Sequence, residues 1–305
     1  MLRIDAAMTR THTSPAVAFA AASAGIAIYS CMDALMKGLS IASGAYSAVL
    51  WRSVAGVLLT GTVFVARRQR WPERKALRLH VLRGLAAGLS VLLFFWGLVR
   101  VPMAQGVALT FLSPLIALFL AAALLGERIR RAAILGSVVA AVGVLVIALG
   151  QAQAGASVDV VLGALAIVVA SVLYAYSLIL LRQQAQLADP LEVTLFTSLV
   201  IGVLLALGAP WLATWPATDQ LVPIVGSAIL GSISALLLAW SYGRAEAQVL
   251  APVEYTAFVW AALLGYLVFD ERVSPFTVAG ALLIVGGCLV AVRGAAPVSQ
   301  SEAGA

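Results

Sequence analysis

The chain consists of long apolar runs separated by short polar stretches, and this pattern leaves few possible folds. Only 10% of its 305 residues are charged and 63% are hydrophobic, whereas soluble globular domains usually carry about 25% charged residues. About 20 apolar residues in a helix span a bilayer core about 30 Å thick. We therefore predict an all-α integral membrane protein with ten transmembrane helices, over 15–37, 44–66, 78–99, 103–125, 131–149, 158–181, 191–213, 221–242, 247–269 and 274–292.

The basic residues are unevenly divided between the two sides of this predicted topology. With the N-terminus inside, fifteen of the 19 Lys and Arg residues fall on the cytoplasmic side, and only Lys37, Arg52, Arg100 and Arg272 fall on the other. Cytoplasmic loops of membrane proteins are rich in Lys and Arg. We therefore predict a multi-pass protein of the cell (inner) membrane with both termini cytoplasmic. The net charge of +6 then needs no nucleic-acid partner.

Two segments of the chain match each other at an offset of 144 residues. Residues 88–150 align without gaps with 232–294, and 14 of these 63 positions are identical. The identical pairs include Trp96/Trp240, Glu127/Glu271, Arg128/Arg272, Gly136/Gly280 and Gly143/Gly287. A weaker match, at an offset of 147, pairs Tyr29-Ser30 with Tyr176-Ser177. The sequence therefore predicts an internal duplication.

Each copy of this duplication contains five of the predicted helices. Because five is odd, the second copy enters the membrane from the opposite face, which makes the two copies inverted repeats. Inverted repeats are typical of transporters, whose substrate site lies near the midplane between the halves. We predict a cytoplasmic tail over 1–14, a first repeat over 15–150, a second repeat over 151–293 and a cytoplasmic tail over 294–305.

The stretch from 101 to 147 resembles the signature region of the EamA-type exporters in the drug/metabolite transporter superfamily. Ser113-Pro114 and Glu127-Arg128 occupy positions of that signature, and Lys37 and Trp51-Arg52 also match the family pattern. The resemblance covers residues 15–293. It implies ten helices in two five-helix repeats and the export of amino acids or other small metabolites, since the family includes aromatic amino-acid exporters.

The second repeat departs from the family pattern in its fourth helix. Phe258 stands where the first repeat has its proline, and Pro252 lies six residues earlier. A proline removes a helical hydrogen bond and favours a kink. We therefore expect the two fourth helices to kink at different depths, with Pro114 and Pro252 as hinge candidates.

Polar and ionisable side chains within a bilayer are costly, so each is a candidate for function. Tyr29, Asp33 and Lys37 share one face of the first helix because they recur every four residues. Asp33 either lines a substrate cavity or forms a local ion pair with Lys37. Glu254 is expected to line the cavity and to contact the substrate or a coupling proton. The full set of substrate-binding or coupling candidates is Tyr29, Asp33, Gln105, Ser113, Tyr176, Ser177, Trp240, Tyr242, Glu254 and Tyr255.

The two Glu-Arg pairs lie where the fourth helix of each repeat ends and the fifth begins. We favour a structural role for them over a gating role, with each Glu stabilising the positive N-terminus of the next helix.

Enzymatic readings find little support in the sequence. Its two histidines, His12 and His80, are both expected outside the membrane, and no metalloprotease or P-loop motif is present. We predict no catalytic residues, no metal and no cofactor. The function predicted is secondary export of small metabolites, amino acids in particular, by a monomer in the bilayer. The alternatives are a membrane receptor or assembly partner, or a transporter of nucleotide-sugars or small cations.

Overall fold

The computed structural model describes residues 15–125, 129, 131–153, 155, 157–184, 187–242, 250 and 253–293. This part of the chain is helical and contains no strand. Its α-helices are α1 (Pro15–Ala66), α2 (Arg74–Leu98), α3 (Met103–Thr110), α4 (Ser113–Leu125), α5 (Arg131–Gln153), α6 (Val158–Gln184), α7 (Pro190–Ala206), α8 (Ala209–Leu212), α9 (Leu221–Tyr242), α10 (Ala257–Phe269) and α11 (Pro275–Arg293).

Six helices in the described part of the chain are long and apolar enough to cross a membrane, and three shorter helices are also apolar. Together they make this a multi-pass membrane protein. The predicted number of ten spans remains a prediction. One of the six, α1, is 52 residues long, whereas about 20 residues span the hydrocarbon core. It is interrupted at Gly44, whose φ of 82° is left-handed, a conformation open to glycine because it has no Cβ.

Helices α5 and α11 pack closely through glycines at related positions of the two repeats. A Cβ on Gly136 would lie 2.3 Å from the carbonyl oxygen of Gly287, and a Cβ on Gly143 would lie 2.6 Å from that of Gly280. The 144-residue offset relates Gly136 to Gly280 and Gly143 to Gly287. Gly136 therefore contacts the repeat counterpart of Gly143, and Gly143 contacts the repeat counterpart of Gly136. This exchange is what a two-fold axis produces. The helices run antiparallel, so this local axis is perpendicular to them.

A second pair of contacts between the repeats has the same reciprocity. Ser90 donates a hydrogen bond of 2.8 Å to the carbonyl of Ala170, and its repeat counterpart Ser234 donates one of 2.9 Å to the carbonyl of Gly25. Gly25 and Ala170 are 145 residues apart. The structure thus relates the first helix to α6 by an offset of 145, which matches Tyr29 with Tyr174. The weak match of Tyr29 with Tyr176, at 147, is not the structural one.

The fourth helix of each repeat breaks at an equivalent position, which corrects the expectation of kinks at different depths. In the first repeat the break lies at 111–112, between α3 and α4, and in the second it lies at 255–256, before α10. These positions are 144 residues apart. Pro114 lacks an N–H group and so weakens the helix at the first break. Pro252 lies outside the described residues.

The hydrogen bonds around the second break are tighter than those of a regular α-helix. The Thr256 hydroxyl donates a hydrogen bond of 2.6 Å to the carbonyl of Val253. The backbone N–H groups of Phe258 and Val259 bond to carbonyls three residues earlier, which is the tighter 3₁₀ pattern. The two breaks also touch, because the rings of Phe111 and Tyr255 meet edge to face with centroids 5.2 Å apart.

Candidate functional site

Six polar side chains converge between the helices and form what we call the central cluster: Tyr29, Asp33, Arg52, Arg83, Tyr174 and Glu254. Tyr29 interacts electrostatically with Asp33, Tyr174 and Arg52. Tyr174 in turn interacts with Glu254, Arg83 and Asp33. The two tyrosines are 42% and 46% exposed. Their neighbours come from separate segments of the chain, so the cluster lies where these segments meet.

The structure brings Asp33 to the central cluster and does not pair it with Lys37. Asp33 is buried and interacts with the guanidinium of Arg52, in the second half of α1. Lys37 bonds instead to Glu271, which is 234 residues away in the chain. The expected alternative of a local ion pair between Asp33 and Lys37 is therefore wrong.

Glu254 lies directly before the break at 255–256 and is exposed. It interacts electrostatically with Tyr174 of α6. Carboxylates at interrupted membrane helices are well placed to meet a substrate or ion, because the interrupted backbone lines a cavity and not lipid. Its repeat counterpart, Thr110, bonds through its hydroxyl to the carbonyl of Val107, so the carboxylate is a feature of the second repeat.

The other sequence-predicted candidates are spread over several environments. Gln105 and Ser113 are buried, and among the described residues neither the Gln105 Nε2 nor the Ser113 Oγ has a hydrogen-bond partner. Ser177 is buried and donates to the carbonyl of Tyr174, which is a local helix contact. Tyr255 packs on Phe111.

Two more candidates, Tyr176 and Trp240, are partly buried. The side chain of Tyr242 lies outside the described part of the chain.

Three members of the central cluster were not singled out from the sequence: Arg52, Arg83 and Tyr174. Arg83 had been counted only as a topology signal, and Arg52 as a topology signal and as part of the family pattern. Both nevertheless fall several residues inside predicted apolar spans, 44–66 and 78–99, and ionisable residues in such positions mark function by default. Their depth in the span was therefore the signal that could have identified them.

A buried polar network lies near the ends of α2, α6 and α7 that are predicted to be cytoplasmic. His80 is 1% exposed, which corrects its expected position outside the membrane helices. Its Nε2 lies 2.8 Å from a carboxylate oxygen of Glu192, its Nδ1 meets the amide of Gln184, and its ring stacks on Phe196. Arg83 bonds to Gln184 and, at 2.7 Å, to the hydroxyl of Thr197. The network connects the central cluster to these helix ends.

At the opposite ends of the helices, which are predicted to face outside, lies a group that we call the outer cluster: Lys37, Val101, Met103, Phe269 and Glu271. Lys37 Nζ donates to the carbonyl of Val101 at 2.9 Å and to the carboxylate of Glu271. Glu271 does not cap α11, the next helix, as the sequence suggested. It accepts a hydrogen bond of 2.7 Å from the backbone N–H of Met103, at the start of α3.

Beside the outer cluster is a cavity of about 500 Å³. It opens between α1, the start of α9 and the end of α10, and its wall includes Ala42, Val268 and Phe269, with Asp219 and Gln220 at one end. This largely apolar crevice is separate from the central cluster. The described residues contain no group of three or more His, Cys, Asp or Glu side chains that could hold a metal ion.

The long apolar helices define the class of this protein, a multi-pass helical membrane protein. A family model matches it twice, over residues 16–149 and 161–293. The chain belongs to the EamA-like transporter family.

Three curated relatives are similar over most of the chain. The pseudopaline exporter CntI of Pseudomonas aeruginosa strain UCBPP-PA14 is 26% identical over 87% of this chain and 92% of its own length. A probable terminal-alkyne amino-acid exporter of Streptantibioticus cattleyicolor is 28% identical over 85% of this chain and 86% of its own. An S-adenosylmethionine uptake transporter of Rickettsia bellii is 26% identical over 69% of this chain and 70% of its own.

Proposed function

We propose that this chain is a secondary transporter that exports small metabolites, and amino acids in particular, from the cytoplasm by alternating access. The substrate would bind at the central cluster, between two inverted five-helix repeats in the inner membrane. The observation that carries this proposal is the charge of the cluster, in which two carboxylates and two guanidinium groups surround two tyrosines.

The balance of charge favours a zwitterionic substrate. Asp33 and Glu254 attract an ammonium group, and Arg52 and Arg83 attract a carboxylate, for which the planar guanidinium is well suited. A small cation would be repelled by the two arginines, and a nucleotide-sugar would be repelled by the two carboxylates. An α-amino acid carries both charges on one carbon and satisfies both kinds of residue.

The names of two relatives support the same substrate class. One is named for export of an amino acid, and another for uptake of S-adenosylmethionine, which is an amino-acid derivative. The relatives include both directions of transport. The direction proposed here, export, follows the family resemblance and the exporters among the relatives.

The reciprocal contacts between the repeats support alternating access as the mechanism. Two halves related by a two-fold axis exchange their roles when one rocks against the other, so a site between them opens to each side in turn. The helix breaks at 111–112 and 255–256 meet through Phe111 and Tyr255. They provide matched points about which the fourth helices bend, with Pro114 at one and Pro252 just before the other.

Glu254→Gln tests the proposal because it keeps the shape of the side chain and removes its charge. The purified protein is reconstituted into proteoliposomes and screened for uptake of amino acids, with and without an imposed pH gradient. A charge-assisted hydrogen bond is worth about 1.5–3 kcal/mol, so transport at low substrate concentration should fall by about tenfold or more. Thermal stability should stay close to that of the native chain.

Glu73→Gln is the matched control, since Glu73 is exposed and lies at the start of α2 without a capping hydrogen bond. It should leave transport unchanged. Normal transport by the Glu254→Gln protein would refute the role of Glu254. Transport of cations or nucleotide-sugars in place of amino acids would refute the substrate class. A protein that transports nothing in the full screen and instead retains a partner protein would support the receptor alternative.

A further inference from the structure

The ion pair of the outer cluster is buried more deeply than its position near the helix ends requires. The side chain of Lys37 is 2% exposed and that of Glu271 is 20% exposed. Lys37 Nζ also lies 5.2 Å from the centre of the Phe269 ring, an attractive cation–π distance. The ammonium group is therefore enclosed by a carboxylate, a carbonyl and an aromatic face.

This pair joins the two repeats. Lys37 belongs to α1, in the first repeat, and Glu271 follows α10, in the second. The second carboxylate oxygen of Glu271 accepts from the N–H of Met103, which is the first residue of α3 and belongs to the first repeat. One carboxylate thus holds two segments of the first repeat against the end of α10.

The pair lies between the central cluster and the outer helix ends. Asp33, a member of the central cluster, is one helical turn before Lys37 on α1, and residues four apart on a helix share a face. Glu271 retains some exposure, so its carboxylate reaches the surface of the protein at this end of the helices. Any path from the central cluster to that side along this face of α1 therefore passes the Lys37–Glu271 contact.

The energetics of a buried ion pair suit a contact that forms and breaks. Burial removes both ions from water, and this desolvation cost offsets much of their attraction. When the helix ends separate, both groups regain their hydration. The free-energy difference between the closed and the open arrangement is therefore small, although the closed pair is well hydrogen-bonded. Packed interfaces of this kind switch between discrete states.

We propose that Lys37 and Glu271 form the outer gate of the transporter. The gate is closed in this structure, and it opens when the end of α10 moves away from α1 and α3. This inference rests on the proposed function for its alternating-access mechanism. It assigns to Glu271 a gating role where the sequence favoured a structural one.

Spin labels across the crevice test the gate without any substrate. Ala42 and Val268 are both exposed, both line the crevice between α1 and α10, and neither belongs to the outer cluster. Each is replaced by cysteine for nitroxide labelling, in full-length protein whose native Cys31 and Cys288 are changed to serine. Serine at 288 retains a donor for the carbonyl of Phe111, which Cys288 contacts. Double electron–electron resonance spectroscopy of the labelled protein in nanodiscs then measures the distribution of distances between the two nitroxides.

The labelled protein should show mainly one short distance between the nitroxides at positions 42 and 268. Lys37→Met and Glu271→Gln should each raise the ratio of a longer, separated population to the short one by about tenfold or more, which corresponds to about 1.4 kcal/mol. Glu271→Gln is the gentler variant, because the glutamine oxygen still accepts from Met103 N. It keeps the test available if Lys37→Met does not fold. Lys37→Arg, which preserves the charge, should leave the short distance dominant.

Arg272→Gln is the matched control, since Arg272 is exposed and directly follows Glu271. It removes a charge at the same place and should leave the distribution unchanged. An unchanged distribution in folded Lys37→Met and Glu271→Gln proteins would overturn the gate. So would a shift of equal size in Arg272→Gln. Because the measurement uses no substrate, its outcome is separate from that of the Glu254→Gln transport test.

Discussion

Gly287→Ala should destabilise the protein, whereas Gly286→Ala, one residue earlier in α11, should not. A Cβ at 287 would lie 2.3 Å from the carbonyl oxygen of Gly136 and 2.9 Å from the backbone nitrogen of Ala140. A Cβ at 286 has no atom of the described residues within 4 Å. The two substitutions are chemically identical, so their difference isolates the packing of α5 against α11.

The size of the effect follows from these distances. Ordinary Cβ contacts begin at about 3.4 Å, so the Gly287→Ala methyl group requires α5 and α11 to separate by about 1 Å. Both close atoms belong to the backbone and cannot rotate away. Overpacking of this kind costs about 1–3 kcal/mol. Gly286→Ala should change stability by less than about 0.5 kcal/mol, or increase it slightly, because alanine favours helix more than glycine does.

Unfolding of the purified protein in detergent measures both variants side by side. The Gly287→Ala protein should unfold at a temperature several degrees lower, and the Gly286→Ala protein should resemble the native chain. Gly136→Ala inserts its methyl group at the same crossing. The double variant with Gly136→Ala and Gly287→Ala should therefore cost less than the two single variants added, since one separation of the helices accommodates both. Equal stability of Gly286→Ala and Gly287→Ala would refute the close approach.

Three further predictions address topology, the reciprocal contacts and the buried network. Reporter fusions after Gly155 and after Arg182 should place the first outside and the second inside; the reverse result would refute the predicted orientation. Ser90→Ala and Ser234→Ala should each lower the free energy of unfolding by about 1 kcal/mol, and unequal losses in thermal unfolding would contradict the equivalence of their hydrogen bonds. His80→Ala leaves the polar groups that contact its ring unsatisfied in a buried site, so it should cost more than about 2 kcal/mol; a loss below that in the same assay would contradict the network.

The sequence by itself determined the properties that depend on local composition and on the duplication. Apolar runs of sufficient length require a membrane, because their surface cannot be covered in water. The 144-residue match identified a duplicated protein, and the signature around Ser113-Pro114 led to the family to which the chain belongs. The sequence also indicated Tyr29, Asp33 and Glu254 as candidates, because an ionisable or polar side chain within an apolar run differs from its neighbours.

Only the tertiary structure decided which of these side chains meet. The spacing of Asp33 and Lys37 suggested an ion pair, but four residues of separation fix only a shared helix face. Lys37 bonds instead to Glu271, 234 residues away, because packing of the two repeats brings the end of α10 to α1. The equivalent positions of the two helix breaks could not be predicted from the sequence for a related reason. Pro114 marks the first break, whereas the second is recognised by the Thr256 hydroxyl bond and the tightened backbone hydrogen bonds around it, which residue identity does not predict.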